Sequence, residues 1–313
     1  YIWYALIYCL AIGGNNIFNI IRIRRYICKP VRKLEIKKHL KSISILLMVS
    51  IAVEIYAMVD TTMLGFFCDD STVGCYSNAM KLTRMVNTMA AAIGAVLFPR
   101  LSVIFSNQEK QQFNNLVNKG IHIMLMIAFP AAVGLIMCSD SIIVLLFGNT
   151  FTKAIPILKI LALMVPVVVC NTLMGGQVLV TTNQENKYVI TVVIASLVNV
   201  ILNSLFIPRY GASSAAVASL ISEVIDLILY SWFARKYVKL HFSGNDIISV
   251  VVPLGIYGII SQFVISSMQL GAFLTLLLNI VVCSCMYFGL GYIMKNETIL
   301  FTIDKGKRFF TRP

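Results

Sequence analysis

Charge is what this sequence has least of: 12% of its 313 residues are Asp, Glu, Lys or Arg, and only 13 are acidic. Hydrophobic side chains make up 58% instead, more apolar surface than a soluble core of that size can hide, which excludes a water-soluble globular protein. Histidine is scarce as well. His39, His122 and His241 lie far apart with no Ser/His/Asp, metal-ligand or phosphate-loop spacing around them, so neither a catalytic constellation nor a cofactor site is expected. Long polar connections are missing too. The net charge of +13 is therefore not gathered on a soluble module, and nucleic-acid binding is set aside. The start Tyr1-Ile2-Trp3 does not read as a cleavable secretory signal, and a fragment of a longer chain is expected.

What the sequence has in abundance is apolar runs of about 20 residues, each long enough to cross about 30 Å of hydrocarbon as a helix. Barrel strands would be about half that length and would alternate in polarity, which these do not. The expected fold is an all-α integral membrane protein of about nine transmembrane helices. The runs place them at Tyr1 to Ile21, Ser42 to Gly65, Tyr76 to Ser106, Gly120 to Cys138, Ile155 to Thr181, Tyr188 to Ile207, Ala212 to Phe233, Ile247 to Met268 and Ala272 to Met294. Ser139 to Ala154, apolar but too short to span, reads as an interfacial helix on the outer face. Connections alternate in charge. Arg22 to Lys41 is strongly basic, whereas Phe66 to Cys75 holds only Asp69 and Asp70, so the basic side is expected to be cytoplasmic, with the start outside and the C-terminus inside. Cys9, Cys138, Cys170, Cys283 and Cys285 sit in apolar runs as small soft hydrophobes; Cys68 and Cys75 flank the acidic loop as free thiols or as a disulfide in an oxidising compartment.

Ionisable groups inside spans cost about 2.5 to 3.5 kcal/mol at mid-membrane, so each asks for a partner or a cavity. Asn78, Lys81 and Arg84 recur every third residue in the third span, and two cations on one face favour an anionic ligand; the alternative is that Lys81 and Arg84 snorkel or pair with Asp69 and Asp70. Glu54, deep in the second span, reads as a partner for such a cation or as a protonatable coupling group. Asp60 reads as a helix-end residue or, less simply, an ion ligand. Glu223 and Asp226, three apart, form a candidate proton or cation site in the seventh span. Lys159 is expected to snorkel, and Asn199 with Asn203 to stitch helices together. The run Ala212, Ser213, Ser214, Ala215, Ala216, Ala218 permits close helix approach, and Pro99, Pro130, Pro166 and Pro253 call for kinked or broken helices.

Several stretches together resemble the MOP superfamily, specifically its oligosaccharide flippase branch. They are Asp60-Thr-Thr-Met-Leu-Gly65, Val73-Gly-Cys-Tyr76 with Ala79-Met-Lys81, and Leu97-Phe-Pro-Arg-Leu-Ser102. Leu146-Phe-Gly148 with Phe151 and Ala154 to Leu161 follows, and then Asn199 to Asn203 leading into Pro208-Arg-Tyr-Gly-Ala212. Ser214 and Cys75 depart from the pattern. The resemblance implies two six-helix lobes around a cavity that opens alternately to each side, with two further helices behind. On that registration residues 1–21 are the last helix of the amino-terminal lobe, 22–41 a basic cytoplasmic linker, 42–233 the carboxy-terminal lobe, 234–294 the extra pair and 295–313 a basic cytoplasmic tail. Five helices would then lie upstream, in keeping with the non-methionine start.

The resemblance also implies the cargo: an oligosaccharide on a polyprenyl diphosphate, turned from the cytoplasmic to the outer leaflet of a bacterial inner membrane for O-antigen, capsule or similar polymers. Lys81, Arg84 and Asn78 would meet the diphosphate, while Glu54 or the Glu223 and Asp226 pair would take up H+ or Na+. A polysaccharide polymerase and chain-length machinery would be partners. Competing readings are a multidrug or cation antiporter of the same fold, a flippase for the peptidoglycan precursor, and a membrane-embedded glycan polymerase or ligase, which would need a sizeable outer loop.

Overall fold

The computed structural model describes residues 2–24, 58–268, 270–296 and 298–300, with 40, 44, 47, 51 and 54 as single positions. Among the described residues eight helices are long and apolar enough to span a bilayer. Chains of this hydropathy satisfy their backbone groups within each helix because lipid offers no alternative partner. The protein is a multi-pass integral membrane protein. The expected linker at 22–41, the first part of the second span and the tail at 295–313 fall largely outside the described residues.

The chain divides into two units, Tyr1–Ser44 and Ile45–Pro313. In the first, α1 (Ile2–Ile23) is mostly apolar, with Trp3, Ile7, Phe18 and Ile21 exposed as suits lipid, and the polar Asn15, Asn19 and Arg22 share one face of its second half. The second unit begins, among described helices, with α2 (Met58–Phe67) and continues with α3 (Asp70–Ser106) and α4 (Lys110–Phe147). There follow α5 (Ala154–Asn171, prolonged by a π-helical stretch, Thr172–Leu179), α6 (Glu185–Tyr210) and α7 (Ala212–Ala234). Last come α8 (Gly244–Ile260, carried on through Met268) and α9 (Ala272–Ile293).

Turns are short and use residues suited to them. Gly211, at φ +60°, is the sole residue between α6 and α7, a conformation that costs glycine little. Gln108 and Asn183, at φ 60° and 56°, reverse the chain between α3 and α4 and between α5 and α6.

One core is built around Leu101, Ile121, Val165 and Leu173, and a second around Leu64, Tyr76, Ile143, Leu158 and Ala215. The small residues of α7 do what their size allows: Ala212, Ala215, Ala216 and Ala218 are all buried, and α7 packs closely on both α5 and α6. The pair α8 and α9 docks on α4 through Met126, Leu254, Tyr257, Cys283 and Tyr287. Asn279 of α9 accepts hydrogen bonds from Tyr257 (3.1 Å) and Ser261 (2.6 Å). The strap that leads from α7 to α8 is held to α4 by Asn114 and Asn118. Their side-chain oxygens accept the amides of Lys239 (2.7 Å) and His241 (2.8 Å).

One expectation is corrected. Ser139–Phe147 is not a separate interfacial helix but the last turns of α4, which ends only where Gly148 turns to φ +82°. At 38 residues α4 is about 57 Å long, so its ends project beyond the hydrocarbon and the apolar run needs no separate helix. Pro99, Pro130, Pro166 and Pro253 lie within continuous helices, so of the kinked or broken helices expected at them none is broken, and π-helical stretches follow Pro166 and Pro253 on the same rods.

Candidate functional site

The polar centre of the second unit is Asp60 on α2, only 5% exposed. Its carboxylate accepts hydrogen bonds from Tyr76 Oη of α3 (2.6 Å), Asn203 Nδ2 of α6 (2.6 Å) and Ser219 Oγ of α7. Asn203 Nδ2 also reaches Asn199 Oδ1 at 3.0 Å. A carboxylate survives in such a place only when its oxygens are met, and here three helices each contribute a donor. The helix-end role expected for Asp60 is thereby overturned, because Tyr76 and the buried face of α6 cover it. The stitching role expected of Asn199 and Asn203 holds for Asn203, which reaches Asp60 of α2, whereas the bond of Asn199 stays within α6.

The knot is rich in oxygen. Besides Asp60 it contains Asn199 Oδ1, Ser219 Oγ and Asn203 Oδ1, the last buried without a hydrogen-bond partner. An all-oxygen set of this kind suits a hard cation such as Na+ rather than a transition metal. No cluster of three His, Cys, Asp or Glu occurs among the described residues.

Beside the knot lies a cavity of about 380 Å³. Asp60 and Ser219 form one wall, and Arg84, Asn87, Thr172 and Glu223 bring further polar groups from α3, α5 and α7. The α3 contribution follows helical periodicity: Met80, Arg84, Asn87 and Ala91 recur at intervals of four, three and four residues and so share one stripe. Lys81 and Arg84 are both exposed, but Lys81 is not part of that lining, nor is the half-buried Asn78. A three-residue spacing slips by about 60° per step on a helix, so Asn78, Lys81 and Arg84 spiral away from a common face. One cation, not two, reaches the cavity, and it does so with two carboxylates.

Glu223 and Asp226 also part company. Glu223 faces the cavity and accepts from Asn171 Nδ2 at Oε2 (2.7 Å) and at its main-chain oxygen (2.9 Å). Asp226, 5% exposed, lies outside the lining with Oδ1 unmatched by any hydrogen bond. Glu54 is exposed on a separate groove, with Met58, Thr62 and Val200. Lys159 pairs with Asp140 at 3.2 Å. Cys68 and Cys75 are free thiols, and His122 meets Asp246 of α8 at 3.4 Å, far from any nucleophile in sequence. Tyr76, Ser219, Asn87 and Asn171 are the site residues that reading the spans one by one did not select, and Asp60 reads first as a helix end. The signal that could have found Tyr76 and singled out Asp60 was present, since the stretches that carry the resemblance start at Asp60 and end one of their segments at Tyr76.

Residues 6–283, most of the chain, match the family described as "Lipid II flippase MurJ". The chain belongs to the lipid II flippase MurJ family. MurJ and the multidrug MATE proteins are transporters of the MOP superfamily, and the all-helical fold agrees with both. A structure of lipid II flippase MurJ in an inward closed conformation superposes with a TM-score of 0.71 at 20% identity, over 90% of this chain and 59% of that one. An outward-facing MATE family multidrug resistance transporter superposes with a TM-score of 0.55 at 17% identity, over 82% of this chain and 65% of that one. In sequence the chain is 30% identical over 167 residues to the probable low-salt glycan biosynthesis flippase Agl15 of Haloferax volcanii, covering 53% of this chain and 35% of that protein. It is 24% identical over 152 residues to the capsular polysaccharide biosynthesis protein CapF of Staphylococcus aureus, covering 49% and 38%. The chain thus spans about a third of the length of these curated relatives. Proteins of the MurJ and MATE families are membrane transporters rather than enzymes.

Proposed function

We propose that the chain is part of a flippase that turns a polyprenyl-diphosphate-linked glycan from the cytoplasmic to the outer leaflet of the cytoplasmic membrane, for assembly of O-antigen, capsule or a similar polymer. The observation that carries this reading is Arg84, a guanidinium set among polar groups in a cavity walled by α2, α3, α5 and α7. In the reduced dielectric of such a site a guanidinium can grip a diphosphate with paired, charge-assisted hydrogen bonds, while the polyprenyl chain stays in lipid. MurJ family membership and the glycan-flippase relatives support the cargo class. The basic side is cytoplasmic, the start outside and the C-terminus inside. A polymerase and its chain-length machinery would receive the product.

Ion coupling belongs to the same proposal. Asp60 with its oxygen-rich knot is the group best built to exchange a cation, H+ or Na+, for the hydrogen bonds it now accepts; Glu223, Asp226 and Glu54 are the other candidates. Uptake biases the cycle only if the two states bind the ion unequally.

A cation exporter of the same fold is the second reading, favoured by the two carboxylates that share the cavity with Arg84. Complementation separates the two. The protein as encoded by its gene, with Arg84→Ala or Arg84→Lys, is expressed in a strain lacking its own flippase, and surface glycan is measured beside protein level. Loss of a charge-assisted bond of about 1.5–3 kcal/mol should cut export by about 10- to 100-fold in Arg84→Ala, with partial retention in Arg84→Lys. Unimpaired glycan export by both variants, or efflux of cationic dyes without glycan export by the unaltered protein, would sink the flippase reading.

A further inference from the structure

At one end of the bundle the connection from α3 to α4, the connection from α5 to α6 and the end of α7 meet around a cavity of about 680 Å³. It is distinct from the Arg84 cavity, and no residue lines both. Lys110 of the first turn of α4 and Lys236 beyond α7 stand at its rim; both are exposed, and neither makes an ion pair among the described residues. The same end also carries Lys187, near the start of α6, and Arg235.

Inside the cavity Thr181 is 8% exposed, and its hydroxyl is buried with no hydrogen-bond partner. Its neighbour Thr182 shows the usual solution, donating to Val178 O at 2.9 Å. A buried hydroxyl left open in this way costs free energy unless something brings it a partner. Asn183, exposed on the adjoining turn, adds an amide.

Two lysines and an asparagine amide stand around a space lined by Phe105 and Tyr237, whose rings lie 6.3 Å apart, with the unmet Thr181 hydroxyl buried in its wall. We propose that this cavity binds a phosphate group, either the headgroup of an anionic phospholipid or a free phosphate compound, with Lys110 and Lys236 neutralising the charge and Thr181 donating to an oxygen. A phosphate offers several acceptor oxygens on one centre, which a set of diverging donors needs, and lysine binds it as a point charge without demanding one orientation. Glu109, also in the lining, opposes the anion and sets an upper limit on its affinity. The site does not depend on the transport reading.

Calorimetric titration of the purified, solubilised protein tests it, with dioctanoyl phosphatidylglycerol, dioctanoyl phosphatidylcholine and inorganic diphosphate as probes. Binding of the phosphatidylglycerol in preference to the phosphatidylcholine, without diphosphate binding, identifies the source as the bilayer; diphosphate binding alone identifies a solute. Each of Lys110→Ala and Lys236→Ala should weaken binding about fivefold, the effect of about 1 kcal/mol per cation. Thr181→Val should weaken it further, and Glu109→Gln should tighten it. Both lysines are exposed, so their removal leaves the fold intact, and the gain expected of Glu109→Gln is one that misfolding cannot imitate. The proposal is overturned if neither anionic probe binds better than phosphatidylcholine, if the double lysine variant binds as tightly as the unaltered protein, or if Glu109→Gln binds no tighter.

Discussion

Replacing Asp60 by leucine is the sharpest perturbation of the polar knot. The substitution removes both acceptor oxygens and with them three hydrogen bonds between helices, in a region where Tyr76, Asn203 and Ser219 are almost wholly buried; Ser219 keeps Ala215 O at 3.0 Å and Tyr76 keeps Ser219 Oγ at 3.2 Å, while one Asn203 amide proton loses its acceptor. Polar contacts between membrane helices are worth on average about 0.6 kcal/mol and at most about 1.7, so three lost together should cost about 2–5 kcal/mol. Asp60→Asn keeps one carbonyl oxygen for one or two of the donors and should cost roughly half as much. Denaturant unfolding in mixed micelles, followed by tertiary near-ultraviolet signal rather than by helix content, gives both numbers. If the knot also takes up Na+, the unaltered protein should gain stability in NaCl over choline chloride, and Asp60→Asn should lose that gain, since a ligand stabilises only the state that binds it. Leucine at position 60 with stability within about 0.5 kcal/mol of the native protein would refute the reasoning, for it would mean that three hydrogen bonds between buried helix faces are lost at no cost.

Two other outcomes follow from the packing and from the acidic loop. A Cβ added at Gly175 would stand 2.8 Å from Tyr230 and 2.9 Å from Tyr188, rings that stack at 5.5 Å, so Gly175→Ala should destabilise by about 1–3 kcal/mol in the same unfolding assay, and an unchanged midpoint would contradict that crowding. At the start of α3 the Asp69 carboxylate accepts from the Thr72 hydroxyl at 2.6 Å, which holds its pKa below the usual value of 3.8. A pKa lower in the folded state means that the contribution is complete above the unfolded value and disappears as pH falls through the folded one. Thr72→Val should therefore move the Asp69 midpoint, read by carbon-detected NMR, upward toward the unfolded value, and a midpoint that stays put would show that the hydroxyl is not its cause.

The spans were legible because lipid leaves the chain one way to satisfy its backbone, and runs such as Gly120 to Cys138 show it without any tertiary information. What was not legible lies between helices. Asp60 and Ser219 are 159 residues apart, and nothing local to either says that they meet. Read alone, Asp60 looked like the end of a helix; its burial depends on Tyr76 and Asn203 arriving from two other helices. The Asn78, Lys81 and Arg84 series shows a second limit. A spacing of three is close to the helical repeat but not equal to it, and over two steps the drift is enough to bring Arg84 to the cavity while Lys81 stays outside its lining. Ser139 to Ala154 shows a third, since an apolar run too short to span can equally be the overhang of a longer helix.

The knot and the cavity are joined by more than proximity. On α3, Tyr76, Met80 and Arg84 follow one another at single-turn intervals, the first bound to Asp60 and the last two lining the cavity. On α7, Ser219 belongs to the knot and Glu223, one turn further along, to the cavity. Helices are stiff over one or two turns, so a change in what Asp60 accepts, by protonation or by cation uptake, must either be absorbed by Tyr76 and Ser219 or shift Arg84 and Glu223 with them. If it shifts them, an ion at the knot and an anion at Arg84 alter each other's affinity by the same factor, because linkage between two binding sites is reciprocal. That is the arrangement a coupled transporter requires: the residues proposed to hold the ion and those proposed to hold the cargo are placed on the same two rods, one or two turns apart.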